Sequence, residues 1–215
     1  MKTRTDKNGS SAIANLILRL KPLYVPPFVT GGHDYLHVER MIGIGRRITF
    51  LKFDFAEFEA AVWLHNLDRC HALQECVKTY GLKGYCQKLL GECAFEPEAI
   101  DRIAEAVKQH SKKDDEPGDS TVLTALRIAD KIDRFSPSGI LSTSAFLGTR
   151  LLFYDPSKPF GYNSTAESKL KTVYNDFFRI LEWYAMLPSD ETRRLVNRNY
   201  MRLYLDFVRL LGDEI

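Results

Sequence analysis

Two histidines and an aspartate stand where helical periodicity calls for core-facing apolar residues, and this constrains the chain more than its composition does. From His37, the residues Met41, Ile44, Ile48 and Leu51 follow four, seven, eleven and fourteen positions on. That is one stripe of a helix turned towards a core. His65 shares a face with Ala61 and Phe58 behind it and with Asp68 three residues ahead. Leu123 and Leu126 precede Asp130 by seven and four residues, which puts a carboxylate on the inner stripe of a third helix. A buried carboxylate without a partner costs several kcal/mol or stays protonated. Three such groups on three helices suggest a shared ligand, and a divalent metal is the simplest one.

The segments around these residues carry a resemblance. His33-Asp34-Tyr35-Leu36-His37-Val38-Glu39-Arg40, a helix ending Leu64-His65-Asn66, and Ile128-Ala129-Asp130-Lys131-Ile132-Asp133 resemble the HD superfamily of metal-dependent phosphohydrolases. The order and wide separations are similar to its small single-domain bacterial branch, over roughly residues 30 to 135. The resemblance implies an all-α, single-domain HD-type helical bundle with His37, His65 and Asp130 as metal ligands. It also implies a divalent cofactor (Mn, Fe, Co, Ni, Mg or Zn) and a small phosphorylated substrate, by family likeness a nucleotide. One position departs from the pattern: Asn66 stands where the family has the Asp of its His-Asp pair. An amide oxygen can coordinate a hard cation but carries no charge, so a dinuclear centre is not expected. The expected site is a single metal on His37, His65 and Asp130, with Asn66 or Asp68 in fourth place. The alternative is a degenerate domain that binds a metal, a nucleotide or a partner without turnover.

Further groups have two readings each. Asp34 is placed as an N-cap. His33, in the loop before it, is either an acid or phosphate contact at the pocket mouth or a surface loop residue. Asp68, if not a ligand, is a candidate base. His110 follows Ile100, Ile103 and Val107 on one inward face and reads as a donor behind the ligands or a core histidine. Arg40, Arg69, Lys131 and Arg134 are the nearest cations for phosphoryl oxygens, with surface ion pairing as the plainer reading. His71 shares its face with Glu75 and Lys78, which favours exposure. Arg194, Arg198, Arg202 and Arg209 read as the solvated face of the last helix.

The 215 residues are expected to form a flexible stretch at 1–10 and one helical domain over 11–215, with helices from 139 to 212 packed on the motif-bearing core. A net charge of +2 gives no field for nucleic acid or an anionic membrane. No apolar run approaches the ~20 residues of a membrane span, and the polar start lacks a secretory signal. A cytoplasmic protein is therefore expected, and a homo-oligomer is compatible with it. Cys70, Cys76, Cys86 and Cys93 contain no Cys-x-x-Cys pair and read as packed thiols. Helices are expected near 11–23, from His33, from Asp54 with Glu57 as a capping box, near 71–92 and 97–111, around Asp130, to Leu187 and to about Leu211. Ser164 and Glu167 form a second capping box, and Tyr154 to Asn163 is the candidate lid loop.

Overall fold

The computed structural model describes residues 6–112, 115–148, 150–153 and 172–213. The expected lid loop Tyr154–Asn163 and the Ser164/Glu167 box lie outside them. The described residues form helices joined by turns, with only isolated β-bridges at Val29↔Cys70 and Leu152↔Thr172. No described helix is long and apolar enough to cross a membrane. Packing divides the chain into two compact units, residues 1–129 and 130–215.

The first unit contains α1 (Asp6–Leu20), α2 (Tyr35–Gly45), α3 (Phe55–Leu64), α4 (Gln74–Glu92), α5 (Pro97–Gln109) and most of α6 (Thr121–Asp133). Helix α1 begins earlier than expected, at Asp6, and ends earlier, at Leu20, where Pro22 helps tighten Lys21–Leu23 into a 3-10 turn. Helix α3 packs against α1, α2 and α5, and is buried along almost its whole length, from Glu57 to Leu64. Its sequence, rich in Ala and Phe, suits a helix surrounded by others. Gly45 ends α2 directly against Phe58, and a side chain there would overlap the aromatic ring, so α2 and α3 approach closely. The stripe from His37 through Met41 and Ile44 is buried as expected, but the helix stops at Gly45. Ile48 enters the core from a turn instead.

Asp54 caps α3 by accepting from the amides of Ala56 and Glu57 at 2.9 and 3.0 Å. The second half of the expected capping box is not made. Glu57 turns to Arg102 on α5, which donates through Nε at 3.1 Å to both carboxylate oxygens. Tertiary pairing with a guanidinium outcompetes the reach back to the N-cap amide.

The turn between α5 and α6 is organised by Arg127, which is almost wholly buried. Its guanidinium donates to Asp119 at 2.5 Å, to Asp115 at 3.2 Å and to the Gln109 carbonyl at the end of α5 at 3.2 Å. The Glu116 amide, together with Arg127, holds the Asp119 carboxyl below the usual carboxylate range.

In the second unit, Ser136 accepts from Gly139 N at 2.9 Å and opens α7 (Pro137–Leu147). Gly139 abuts the carbonyls of Asp133 and Arg134, so the turn after α6 has no room for a side chain. Helix α8 (Val173–Ala185) is capped by Thr172, and α9 (Asp190–Arg194) by Ser189. Helix α10 (Arg198–Asp213) packs against α7 and α8, and Tyr204 donates to the Phe177 carbonyl at 2.9 Å.

Replacing Arg127 with Met strands two carboxylates and should destabilise the protein by about 3 kcal/mol at neutral pH. Since Asp119 titrates lower when folded, its contribution is present at neutral pH and lost on acidification. The gap between wild type and variant in urea denaturation should therefore narrow below pH ~4. A pH-independent gap would show that the ion cluster does not carry the loss.

Candidate metal centre

The turn feeding α2 is set by Gly32, whose φ of 79° lies in the left-handed region. It is tied down by the segment that follows His65: Thr30 N donates to Arg69 O at 2.9 Å and His71 N to Phe28 O at 2.7 Å. The exposed His71 ring adds contacts to Pro27 O at 3.0 Å and Thr30 Oγ1 at 3.3 Å. Asp34 then accepts from the amides of Leu36 and His37, at 3.0 and 3.1 Å, so its role is the N-cap.

These constraints place His37 in the first turn of α2, fully buried, facing His65 at the C-terminus of α3. His65 Nδ1 is 2.7 Å from the Val62 carbonyl, which can only accept, so Nδ1 carries the proton and Nε2 the lone pair. That Nε2 lies 3.3 Å from His37 Nε2. Two nitrogens bound at ~2.1 Å to a tetrahedral ion stand about 3.4 Å apart, so the pair already has the spacing of a shared cation. The division between the units falls inside α6, and Asp130 is reached along unbroken helix from Leu126. The ligating atoms of His37, His65 and Asp130 all lie within 4.8 Å of one another. Donors on opposite sides of an ion with ~2.1 Å bonds are about 4.2 Å apart, so small rotations suffice to close this shell. The donor set of two imidazoles and one carboxylate suits a borderline divalent metal.

Other expected residues are distributed around this group. Asn66 is buried, and its side-chain nitrogen lies 2.5 Å from His65 Nε2. The amide's O and N ends are interchangeable by rotation, so the same position can offer Oδ1. Asp68 is not part of the group; it is partly exposed, with Oδ2 at 3.4 Å from Arg69 Nε. His33 is buried, which overturns the surface-loop reading, and its ring centroid is 5.9 Å from that of His37. His110 ends α5, its Nδ1 bonded to Val107 O at 2.6 Å and its ring 5.3 Å from His65, edge to face. Four rings thus run in series from His33 through His37 and His65 to His110. Lys131 is buried, and Arg134 lies 3.5 Å from Asp130 Oδ1.

Sequence reasoning missed two things here. The burial of His33 depends on a loop held by long-range hydrogen bonds, for which no periodic signal exists. The Arg134–Asp130 pair was detectable as an i, i+4 spacing.

His65 and His110 should appear as Nδ1-protonated tautomers in long-range proton–nitrogen spectra of metal-free protein at neutral to alkaline pH. An Nε2-protonated His65 would remove the inward lone pair and with it the proposed ligand.

No protein-family model and no curated protein matches this chain. Solved structures do match it along nearly the full length. A Lactobacillus plantarum protein is 16% identical with a TM-score of 0.72, covering 99% of this chain and 98% of its own. Bacillus subtilis YpgQ, solved in complex with ADP, is 18% identical with a TM-score of 0.62, covering 94% and 97%. An HD-superfamily hydrolase from Bacillus thuringiensis is 17% identical with a TM-score of 0.55, covering 96% and 97%. The chain has an all-α, HD-type helical fold.

Proposed function

We propose that this protein is a mononuclear metal-dependent phosphohydrolase acting on a small phosphorylated substrate, a nucleotide in our reading. The observation that carries the reading is the convergence of His37, His65 and Asp130 ligating atoms to within 4.8 Å from three separate helices. The likeness to a protein that binds ADP supports the choice of nucleotide.

His37, His65 and Asp130 hold the cation, with Asn66 Oδ1 in the fourth place. Bound there, a divalent ion supplies a Lewis acid for a phosphoryl oxygen and lowers the pKa of a water towards ~7. Asp68, outside the ligand group and open to solvent, takes the water's proton. His33 stands beside His37 to protonate the leaving oxygen or to contact phosphate. Arg69 and Lys131 balance the charge on the phosphoryl oxygens, and His110, edge-on to His65, stands behind the ligands.

A second reading has its own observation. As placed, the Asn66 amide donates to the His65 Nε2 lone pair at 2.5 Å, which competes with a metal for that nitrogen. This is the arrangement of a degenerate site that binds a ligand without turnover.

Metal-depleted protein reconstituted with manganese, cobalt, nickel or magnesium is expected to hydrolyse at least one member of a nucleotide and phosphate-ester panel. A His65→Ala variant should lose at least about 100-fold of that rate. Equal turnover in the variant would mean a contaminant and sink the enzymatic reading. Asn66→Asp supplies a charged oxygen and should tighten metal retention about tenfold, as read by elemental analysis after chelator dialysis. Unchanged metal content would remove Asn66 from the ligand set. Turnover that appears only in Asn66→Asp would establish the degenerate reading for the natural chain.

A further inference from the structure

Within the second unit, the turn between α9 and α10 encloses a groove of about 500 Å³, lined by residues from Tyr184 to Asp206. It shares no residue with the histidine cluster. Its volume falls in the range of small-molecule sites, roughly 300 to 1,000 Å³. The lining has two characters. Tyr184, Val196, Met201 and Leu205 give an apolar component, and Val196 is buried. Arg193, Arg194, Arg198 and Arg202 stand against only Asp190 and Asp206, so the lining carries two excess positive charges.

The four arginines are not equally occupied. Arg193 is committed, to Asp190 at 2.8 Å and to the carbonyls of Ala185 and Leu187 at 3.3 and 3.1 Å. Arg202 is only loosely engaged, 3.9 Å from Asp206, with both side chains well exposed. A pair of that kind contributes little and yields readily to a better acceptor. Arg194 and Arg198 have no ion-pair or hydrogen-bond partner among the described residues, so their guanidiniums can meet an incoming anion without breaking anything. The sequence-based reading of Arg194, Arg198, Arg202 and Arg209 as solvated holds, since all four are exposed, but Arg194 ends α9 and does not lie on the last helix, and Arg194, Arg198 and Arg202 also line the groove.

We propose that this groove is a second ligand site, independent of the metal centre, that binds a phosphorylated small molecule. Arg194 and Arg198 clamp the phosphate groups, with Arg202 joining them by leaving Asp206, and the Tyr184–Met201–Leu205 surface packs against the apolar part. The charge complementarity selects an anion, and guanidinium forks match phosphate oxygens in pairs. The apolar component favours a phosphate that carries an organic body over a bare inorganic ion.

The test is calorimetric binding to the full chain in excess EDTA, which removes any metal-dependent binding, with ADP, pyrophosphate and adenosine as probes. ADP is expected to bind wild type and His65→Ala equally, within about twofold, and to weaken as salt is raised. The doubly substituted Arg194→Gln/Arg198→Gln chain should lose at least about tenfold in ADP affinity. Both positions are exposed, so its thermal unfolding should match wild type. Pyrophosphate binding weaker than ADP, but lost in the same variant, would support both the clamp and the apolar platform. Four results would overturn the proposal: no ADP binding in EDTA, ADP binding unchanged in the arginine variant, ADP binding lost in His65→Ala, or adenosine binding as tightly as ADP. Because metal is absent throughout, failure here leaves the reading of the histidine cluster where it stands, and failure of that reading leaves the groove intact.

Discussion

Two buried imidazole nitrogens facing each other at 3.3 Å are the constraint to which the rest of the first unit answers. The Val62 carbonyl fixes the proton of His65 on its far nitrogen, so the near lone pair faces His37 and the Asn66 amide, and a cation binding there would displace that amide. The Asp130 carboxylate arrives from α6 with Arg134 3.5 Å away, and its oxygen still lies within 4.8 Å of both ring nitrogens. Two imidazoles and a carboxylate at these separations are a donor set that would suit one divalent ion. Close packing makes the arrangement possible: Gly45 lets α2 lie against Phe58, and the Asp34 cap sets where the His37 turn begins.

The surroundings of the group are held by charge as much as by apolar contact. Arg127 joins Asp115, Asp119 and the last carbonyl of α5, and so anchors the helix end from which His110 meets His65. It stands one turn before Asp130 on the same helix, while Arg134 flanks Asp130 one turn later. A buried guanidinium is expensive to desolvate, and here it is matched by two carboxylates and a carbonyl. The effect is to restrict where the ends of α5 and α6 can stand.

Much of this was legible beforehand because it depends on local periodicity. The stripe from His37 through Met41 and Ile44, the face of Phe58, Ala61 and His65, and the Leu123, Leu126 and Asp130 row all follow from a repeat of ~3.6 residues. The Asp34 and Asp54 caps follow from short-range hydrogen bonding. Where a residue had two available partners, local pattern was no guide. Glu57 left its own helix for Arg102, and Ile48 reached the core from outside the helix that was expected to carry it. Arg194 and Arg198 look like any exposed basic pair until the turn before α10 folds them around a groove.

By itself, the sequence determined that this chain is helical, that two histidines and an aspartate point inward, and that each of them needs an explanation that apolar packing does not supply. Periodicity gives direction within one helix, and burial then gives the cost of a polar group there. Only the tertiary structure decided which inward groups meet. It brought His37 and His65 together across twenty-eight residues of chain, buried His33 behind them and set His110 at their other side. It also left Asp68 out of the ligand group, although its spacing suited membership. Distances between separate helices are fixed by how closely their backbones pack and by loops pinned through long-range hydrogen bonds, and neither is encoded in the repeat of any one segment.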